Sequence, residues 1–389
     1  MTDLTTFLAG TTLPELLESR GLEDPVAFIT RFESAFLTML GFPQMEVITA
    51  NFHKWPEDKL NADSATLDDA TLSAVATTIN VTAGQGVRFR AGDIVQFDGS
   101  RELISVTSVA TDALTVVRAI RSTTGETQVQ NDLLQVMNNP NTEAGTAKVA
   151  RPTELEQNSN FTEMFDETAS VSRKMRKTMN IGNVGDQLDH QVLRAQQDLI
   201  RRIAKTVING RRQDTNPEGT ASVASTMDGI VQFILTGADS VVVDALGGAL
   251  TEDLLNQAME DSWSSGGSPT LIAIGPRQRR AISKLMEGRV RFSVDETTLG
   301  VVVERFVSPV GGVVDVMEAD KHMPKDIVLI LDRSRLSLKK LGADGDPFEI
   351  EDLSKTGHVD NKLVSIELTL EAKNTDDGGH ALIQNLSAA

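Results

Sequence analysis

Five histidines, His53, His190, His322, His358 and His380, are the side chains here best suited to acid–base work or metal binding, and they are scattered through the chain without ligand spacing. No H-E-x-x-H segment, phosphate loop G-x-x-x-x-G-K-[ST] or nucleophile elbow G-x-S-x-G is present. His190, alone on a long helical stretch, reads as a surface or packing residue. Asp344 with Asp346, and Asp376-Asp377 before Gly378, are the acidic pairs that bear on calcium. Neither continues into the regular ligands and closing glutamate of a calcium loop, so both read as solvated turns. Gly84-Gln85-Gly86 lies among short strands rather than between a strand and a helix, which removes the dinucleotide reading. Cysteine is absent, which excludes disulfides, thiolate nucleophiles and cysteine metal sites. The expectation is therefore no catalytic residues, no cofactor, no metal and no enzyme activity.

Two basic groups remain. Arg173, Lys174, Arg176 and Lys177 lie in a polar, extended stretch over residues 151–182, either as a solvated face or as an arm that pairs with an acidic neighbour. Arg277, Arg279 and Arg280 follow an apolar run and suit anion binding or, better, contact with another subunit. The rest of the chain is acidic, with a formal net charge of −18 over 389 residues. Such a chain repels nucleic acid on average, because phosphate contacts need Lys and Arg. No apolar run approaches the roughly 20 residues of a membrane helix, and the first basic residue is Arg20, so the N-terminus does not read as a secretory signal.

The elements that must position these groups are legible from periodicity. Thr12 and Glu15 around Pro14 form a capping box, and Asp24-Pro25 starts a second helix carrying Val26, Ile29, Phe32, Phe36 and Leu40, stopped by Gly41 and Pro43. From Leu72 to about Met137 short alternating pairs appear, Ile79 with Val81, Ile104 with Val106 and Leu114 with Val116. Dense turn signals separate them, which predicts a small all-β barrel or sandwich inserted over residues 72–149, with Asn138-Asn139-Pro140-Asn141 as its exit. Leu188, Val192, Ala195, Leu199, Ile203 and Val207 make one stripe of a helix from Asp186 to Asn209, ended by Gly210 and about 36 Å long. A mixed region follows. Thr251-Glu252-Asp253 opens a helix with Leu254, Leu255, Ala258 and Met259. Leu271–Ile274 reads as a buried strand, and Gly275-Pro276 opens a helix through Ile282 and Leu285. Further strands fall at Val301–Val307, Val313–Met317 and Ile327–Leu331. Val364, Ile366, Leu368, Leu370 and Ala372 alternate with polar residues in a strand of roughly 35 Å. A helix and a one-faced strand of matching length can pack along each other as a thin layer.

The order of several phrases resembles a family of tailed-bacteriophage major head proteins. Ser34-Ala35-Phe36-Leu37-Thr38-Met39-Leu40-Gly41 and Phe52-His53-Lys54-Trp55-Pro56-Glu57-Asp58-Lys59-Leu60 are similar to the family's opening. Asn160-Phe161-Thr162-Glu163-Met164-Phe165 is similar to its "NyTqiF" phrase, with Val171-Ser172 before the long helix. Ile272-Ala273-Ile274-Gly275-Pro276-Arg277-Gln278-Arg279-Arg280-Ala281-Ile282-Ser283 resembles its "vgPrqkraIs" step. Val313–Val316, His322-Met323-Pro324 and Ile330-Leu331-Asp332 resemble its return strands. Lys355-Thr356-Gly357-His358, leading into Glu367–Asn374, resembles its close. The likeness covers residues 34–66 and 151–387.

The resemblance implies an α+β chain with the Hong Kong 97-type capsid fold and an inserted all-β domain. The implied divisions are an N-terminal arm over 1–48, an E-loop region over 49–71 and 150–182, the insert over 72–149, a peripheral domain with a spine helix and long strand over 183–225 and 297–389 (with some axial-domain strands), and an axial domain over 226–296. It implies a shell subunit in the virion that assembles with itself as hexamers and pentamers, with portal, scaffold or decoration proteins as further partners. DNA would be enclosed without sequence-specific binding, and there would be no membrane. Arg173, Lys174, Arg176, Lys177, Trp55, Phe161 and Phe165 are the expected inter-subunit contacts. The chain lacks tyrosine where the family often has aromatics, and no Lys–Asn cross-link is expected. The alternatives are an encapsulin-like compartment shell, a phage tail or connector protein, and a carboxylate-dependent hydrolase on an α/β core.

Overall fold

The computed structural model describes residues 33–141, 143, 145–148, 153, 155–177, 186–286, 304–308, 312–317, 319–342, 346–355 and 357–387. The helix starts at Thr12 and Asp24, with Val26, Ile29 and Phe32, lie outside them, as do Val301, Asp344 and residues 178–182. The chain divides into two compact units, Met1–Glu57 with Gln157–Ala389, and Asp58–Glu156.

In the first unit, helix α1 (Ala35–Met39) is short and heavily anchored. Its cap residue Ser34 accepts from the Leu37 N–H and donates to Asp320 Oδ2 at 2.5 Å. The Phe36 N–H also donates to that carboxylate, and Asp320 Oδ1 accepts from the His322 N–H at 2.8 Å. One buried carboxylate thus satisfies donors of the helix start, which have no partner inside the helix, and Phe36 and Leu37 enter the core. Strands β1 (Glu46–Ile48) and β2 (Phe52–Glu57) follow.

The second unit holds β3 (Ser64–Thr66), β4 (Thr71–Leu72), β5 (Thr78–Asn80), β6 (Ile94–Phe97), β7 (Ile104–Ala110), β8 (Ala113–Val117), β9 (Gln128–Val129) and β10 (Leu133–Asn138). Six of these form one sheet in the order β3-β10-β6-β7-β8-β5. A bridge between Leu67 and Val81 joins its two edges, so the sheet closes into a barrel. The alternating residues read in sequence, Ile79, Val81, Ile104, Val106, Leu114 and Val116, fill its interior. The core also takes Ala65 and Leu67, which precede the change of texture at Leu72 and carry too few apolar neighbours to show it. One ion pair of this unit has both side chains covered. Glu102 accepts from Arg118 Nε at 2.7 Å and from the Ala119 and Glu126 N–H groups, while Arg118 donates to the Ser73 carbonyl. Burial works to raise the Glu102 pKa, but those donors outweigh it and hold it below the usual carboxylate range.

The chain returns through β11 (Glu156–Phe161), which pairs with β2, and β12 (Glu163–Ser172), which runs into the short helix α2 (Arg173–Lys177). Helix α3 (Gln187–Asn209) then spans about 35 Å. The Asp186 carboxylate caps it by accepting from the Leu188 N–H. Every residue of its predicted stripe is buried, joined by Ala204 and Ile208. Gly210 ends the helix in extended rather than left-handed backbone. Its lack of a side chain serves close approach instead, since a Cβ there would meet the Thr206 carbonyl oxygen at 2.5 Å.

Beyond it lie α4 (Ile230–Thr236), β13 (Val241–Asp244), α5 (Glu252–Ser264), β14 (Leu271–Ile274), α6 (Pro276–Met286), β15 (Glu304–Val307), β16 (Val313–Val316), β17 (Val328–Leu331), β18 (Leu336–Leu341), β19 (Glu349–Asp352), β20 (Val359–Ala372) and β21 (Ala381–Gln384). Strand β20 is central to a five-stranded sheet. It is flanked along its length by β12 on one side and by β18 and β19 on the other, with β1 outside β18. At 14 residues it is longer than its alternation predicts, because residues 359–363 are half-buried and show no inside–outside contrast. Its C-terminal half is also not one-faced. Val364, Ile366, Leu368, Leu370 and Ala372 join the core with α3, and Thr369 and Glu371 on the opposite face are buried too.

A six-stranded sheet, β13-β21-β17-β14-β16-β15, completes the unit. Ala273, Leu329, Leu331 and Leu382 pack with α3 and α4, while Ile272, Ile274, Val328, Ile330, Ala381 and Ile383 face α5 and α6. Both faces of this sheet are therefore covered, which explains why β14 and β17 read as continuous apolar runs.

Candidate subunit-contact surfaces

The cationic turn is built by what precedes and follows it. Strand β12 delivers the chain into α2, where Met175 alone turns inward, onto Val171 and Leu188. Helical geometry then places Arg173, Lys174, Arg176 and Lys177 outward, and all four are exposed. Arg176 is a clamp rather than a loose charge. It donates to Asp186 Oδ2 at 2.6 Å and to Asp360 Oδ2 at 2.9 Å, tying α2 to the start of α3 and the start of β20. Lys355 pairs with the other oxygen of Asp360 at 2.7 Å. Hydrogen bonds from Asp186 and Asp360 raise the Arg176 pKa. The Asp186 carboxyl is lowered by Arg176, and that of Asp360 by Lys355 and then Arg176. The Arg173 N–H donates to the His358 carbonyl, which pins the first residue of the turn. Arg173 and Lys177 make no ion pair among the described residues.

The three aromatic residues are spent inside the chain. Trp55 is 3% exposed, donates its indole N–H to Glu57 and packs near Phe233. Phe161 stacks on Phe52 with ring centroids 4.4 Å apart. Phe165 lies in the α3 core. The period of two along β2, β11 and β12 turns these rings inward, so the structure does not bring them together with the α2 cations.

A second network was not legible in the sequence, because its members come from four strands. Glu371 on β20 meets His53 Nε2 at 2.5 Å, Lys373 at 3.1 Å and Lys339 at 3.6 Å, and Lys339 also bonds Glu46. Burial raises the Glu371 pKa, but His53, Lys373 and Lys339 together bring it below the usual range. The network holds β1 and β2 onto β18 and β20. His380 is buried and neutral. Its Nδ1 accepts from the Asp332 N–H and its Nε2–H donates to the Lys373 carbonyl, and burial takes its pKa down to about 4. His190 and His322 are also lowered by burial. Among the described residues no group of three or more His, Asp or Glu side chains gathers as a metal site would, and no helix is long and apolar enough to cross a membrane.

What the geometry offers is charged, outward-facing groups on a unit with two hydrophobic cores. Comparison with known families decides what such groups belong to: the family described as SU10 major capsid protein matches residues 3–387. The chain belongs to the SU10 major capsid protein family. This capsid protein is a shell-forming component of the phage virion. No curated protein is similar to it in sequence. Among solved structures it is similar to the capsid asymmetric unit of cyanophage A-1(L), at 12% identity and TM-score 0.52, covering 97% of this chain and 99% of that one. It is equally similar to the capsid of a native GTA particle, at 9% identity and TM-score 0.52, with the same coverage. An encapsulin from Synechococcus elongatus PCC 7942 matches at 15% identity and TM-score 0.46 over 61% of this chain and 79% of that chain. The two fuller matches give the capsid protein the Hong Kong 97-type fold.

Proposed function

We propose that this chain builds a closed icosahedral head around the phage genome from hexamers and pentamers of itself, and that it catalyses no reaction. Portal, scaffold and decoration proteins are its further partners in this reading. The five-stranded sheet with α3 as its spine then serves as the peripheral domain, and the six-stranded sheet with α5 and α6 as the axial domain. The barrel unit, Asp58–Glu156, is then the inserted β domain.

The observation that carries the contact mechanism is the α2 turn. Arg176 is consumed locally, while Arg173 and Lys177 are exposed on a turn tied down by the Arg173 N–H and the Arg176 side chain. With Lys174 they present positive charge on a chain of net charge −18, and the abundant complement for it is the acidic surface of another copy. Trp55, Phe161 and Phe165 support this contact from within by fixing β2, β11 and β12. The net charge also suits a wall to which packaged DNA does not adhere.

The test is Arg173→Glu with Lys174→Glu and Lys177→Glu, leaving Arg176 in place. The expected result is a folded subunit, with unchanged circular dichroism, that sediments as small oligomers and shows no particles under negative stain. Particles of normal yield and size from this variant sink the proposed contact.

A further inference from the structure

The six-stranded sheet carries two helices on one face, and their outer sides have opposite charge. Strand alternation puts α5 and α6 on the same side, because Leu255 and Met259 of α5 and Ile282 of α6 share a core with Ile272, Val328 and Ile383. Helix α5 packs over β13 and β21 at one end of the strand order, and α6 over β14. Helix α5 contains Glu252, Asp253, Glu260 and Asp261 and no base. Helix α6 contains Arg277, Arg279, Arg280 and Lys284 and no acid.

Part of this charge does not serve the stability of its own helix. Glu260 and Asp261 sit toward the C-terminal end of α5, and Arg277 sits in the first turn of α6, each the end of the helix dipole that disfavours its charge, whereas Asp253 in the first turn of α5 and Lys284 in the last turn of α6 sit at the ends that favour theirs. Asp253, Glu260, Asp261, Arg277 and Lys284 also make no ion pair among the described residues. The spacing is complementary as well. Asp253, Gln257 and Glu260 form an exposed stripe at i, i+4, i+7, and half-buried Arg277 with exposed Arg280 and Lys284 form a basic one at i, i+3, i+7. Both stripes run about 10 Å. Trp263, at the end of α5, leaves 57% of its surface exposed beside the acidic stripe, and tryptophan is enriched at the energetic centres of interfaces.

We propose that α6 of one copy docks on α5 of the next, with Arg277, Arg280 and Lys284 facing Asp253, Glu260 and Asp261 and with Trp263 covered at the margin. This rests on the reading of the chain as a shell subunit and names the surfaces that join one copy to the next. Because the two surfaces differ, the contact is head to tail and repeats around a ring. Nucleic acid is the competing occupant of the basic stripe. A second copy is favoured because the chain supplies a matching acidic stripe of equal length and has a net charge of −18.

The experiment uses two full-length variants, Arg277→Glu with Lys284→Glu, and Asp253→Lys with Glu260→Lys. Each is checked for folding by circular dichroism and thermal unfolding, with the milder Arg277→Gln and Lys284→Gln pair in reserve should a reversal fail to fold. Alone, each reversal raises the concentration needed for assembly by about tenfold or more. Mixed in equal amounts, the two recover ring-sized oligomers by sedimentation, and so does a single chain carrying all four substitutions. Assembly of either reversal at the wild-type concentration overturns the proposal, as does failure of both the mixture and the four-fold chain to recover. A reversed α6 that assembles normally but yields shells without DNA overturns it in favour of nucleic acid. If the wild-type protein itself forms no shell, the shell reading fails, and the helix pairing is judged by whether the two variants sediment as a larger species together than apart.

Discussion

His380 shows how one side chain couples burial to acid sensitivity. Both ring nitrogens are used in the neutral form, and its pKa stands at about 4 against a usual 6.5. Between those values the unfolded chain takes up a proton that the folded chain does not, so stability falls as pH falls from about 6.5 to 4. At full extent this costs about 3 kcal/mol. The midpoint of urea unfolding is expected to drop between pH 7 and pH 5, with the ring remaining neutral by NMR at pH 5.5. A His380 that titrates near 6.5 in the folded protein removes this account. Glu102 gives a second case. Glu102→Ala leaves the Arg118 guanidinium buried without its counter-charge, and the barrel is expected to lose about 3 to 5 kcal/mol, read as an earlier unfolding transition in the full chain. Neither role was legible in the sequence. His380 follows two glycines in a polar stretch, and Glu102 and Arg118 meet only after β7 and β8 fold back on each other.

At the scale of elements, α3 separates burial from exposure along one helix. Leu199 is fully buried in the core shared with β20, whereas Leu193 is 57% exposed. Leu199→Ala is expected to cost about 2 to 5 kcal/mol, and Leu193→Ala to stay within about 0.5 kcal/mol, both by chemical denaturation at pH 7. Equal effects contradict the helix orientation described above. Asp186→Ala removes a helix cap and one arm of the Arg176 clamp together. A cap alone is worth about 1 kcal/mol, and a larger loss measures the clamp. The helix was readable because its stripe keeps one period over six turns. The start of β20 and the cover over Glu371 were not, because a strand's length and second face depend on partners such as β12 and β2 that lie far away in sequence.

At the scale of the molecule, the barrel begins and ends at one place. Lys59, two residues after β2, forms an ion pair at 2.7 Å with Glu156, the first residue of β11. Replacing residues 60–155 with a short Gly-Ser linker is therefore expected to leave the other unit folded, with its thermal unfolding shifted by only a few degrees. Collapse of that transition would show the two units to be one cooperative body. The barrel's alternating strands were legible, but its closure was not, since the Leu67–Val81 bridge joins two short strands whose pairing no local pattern announces. That closure has a consequence for life in a crowd. A finished particle holds many identical modules at very high local density, the condition under which open sheets recruit one another through unpaired backbone groups. A six-stranded hoop closed by that bridge offers its neighbours fewer unpaired groups to zip onto, so the modules can be packed at closer quarters and remain separate.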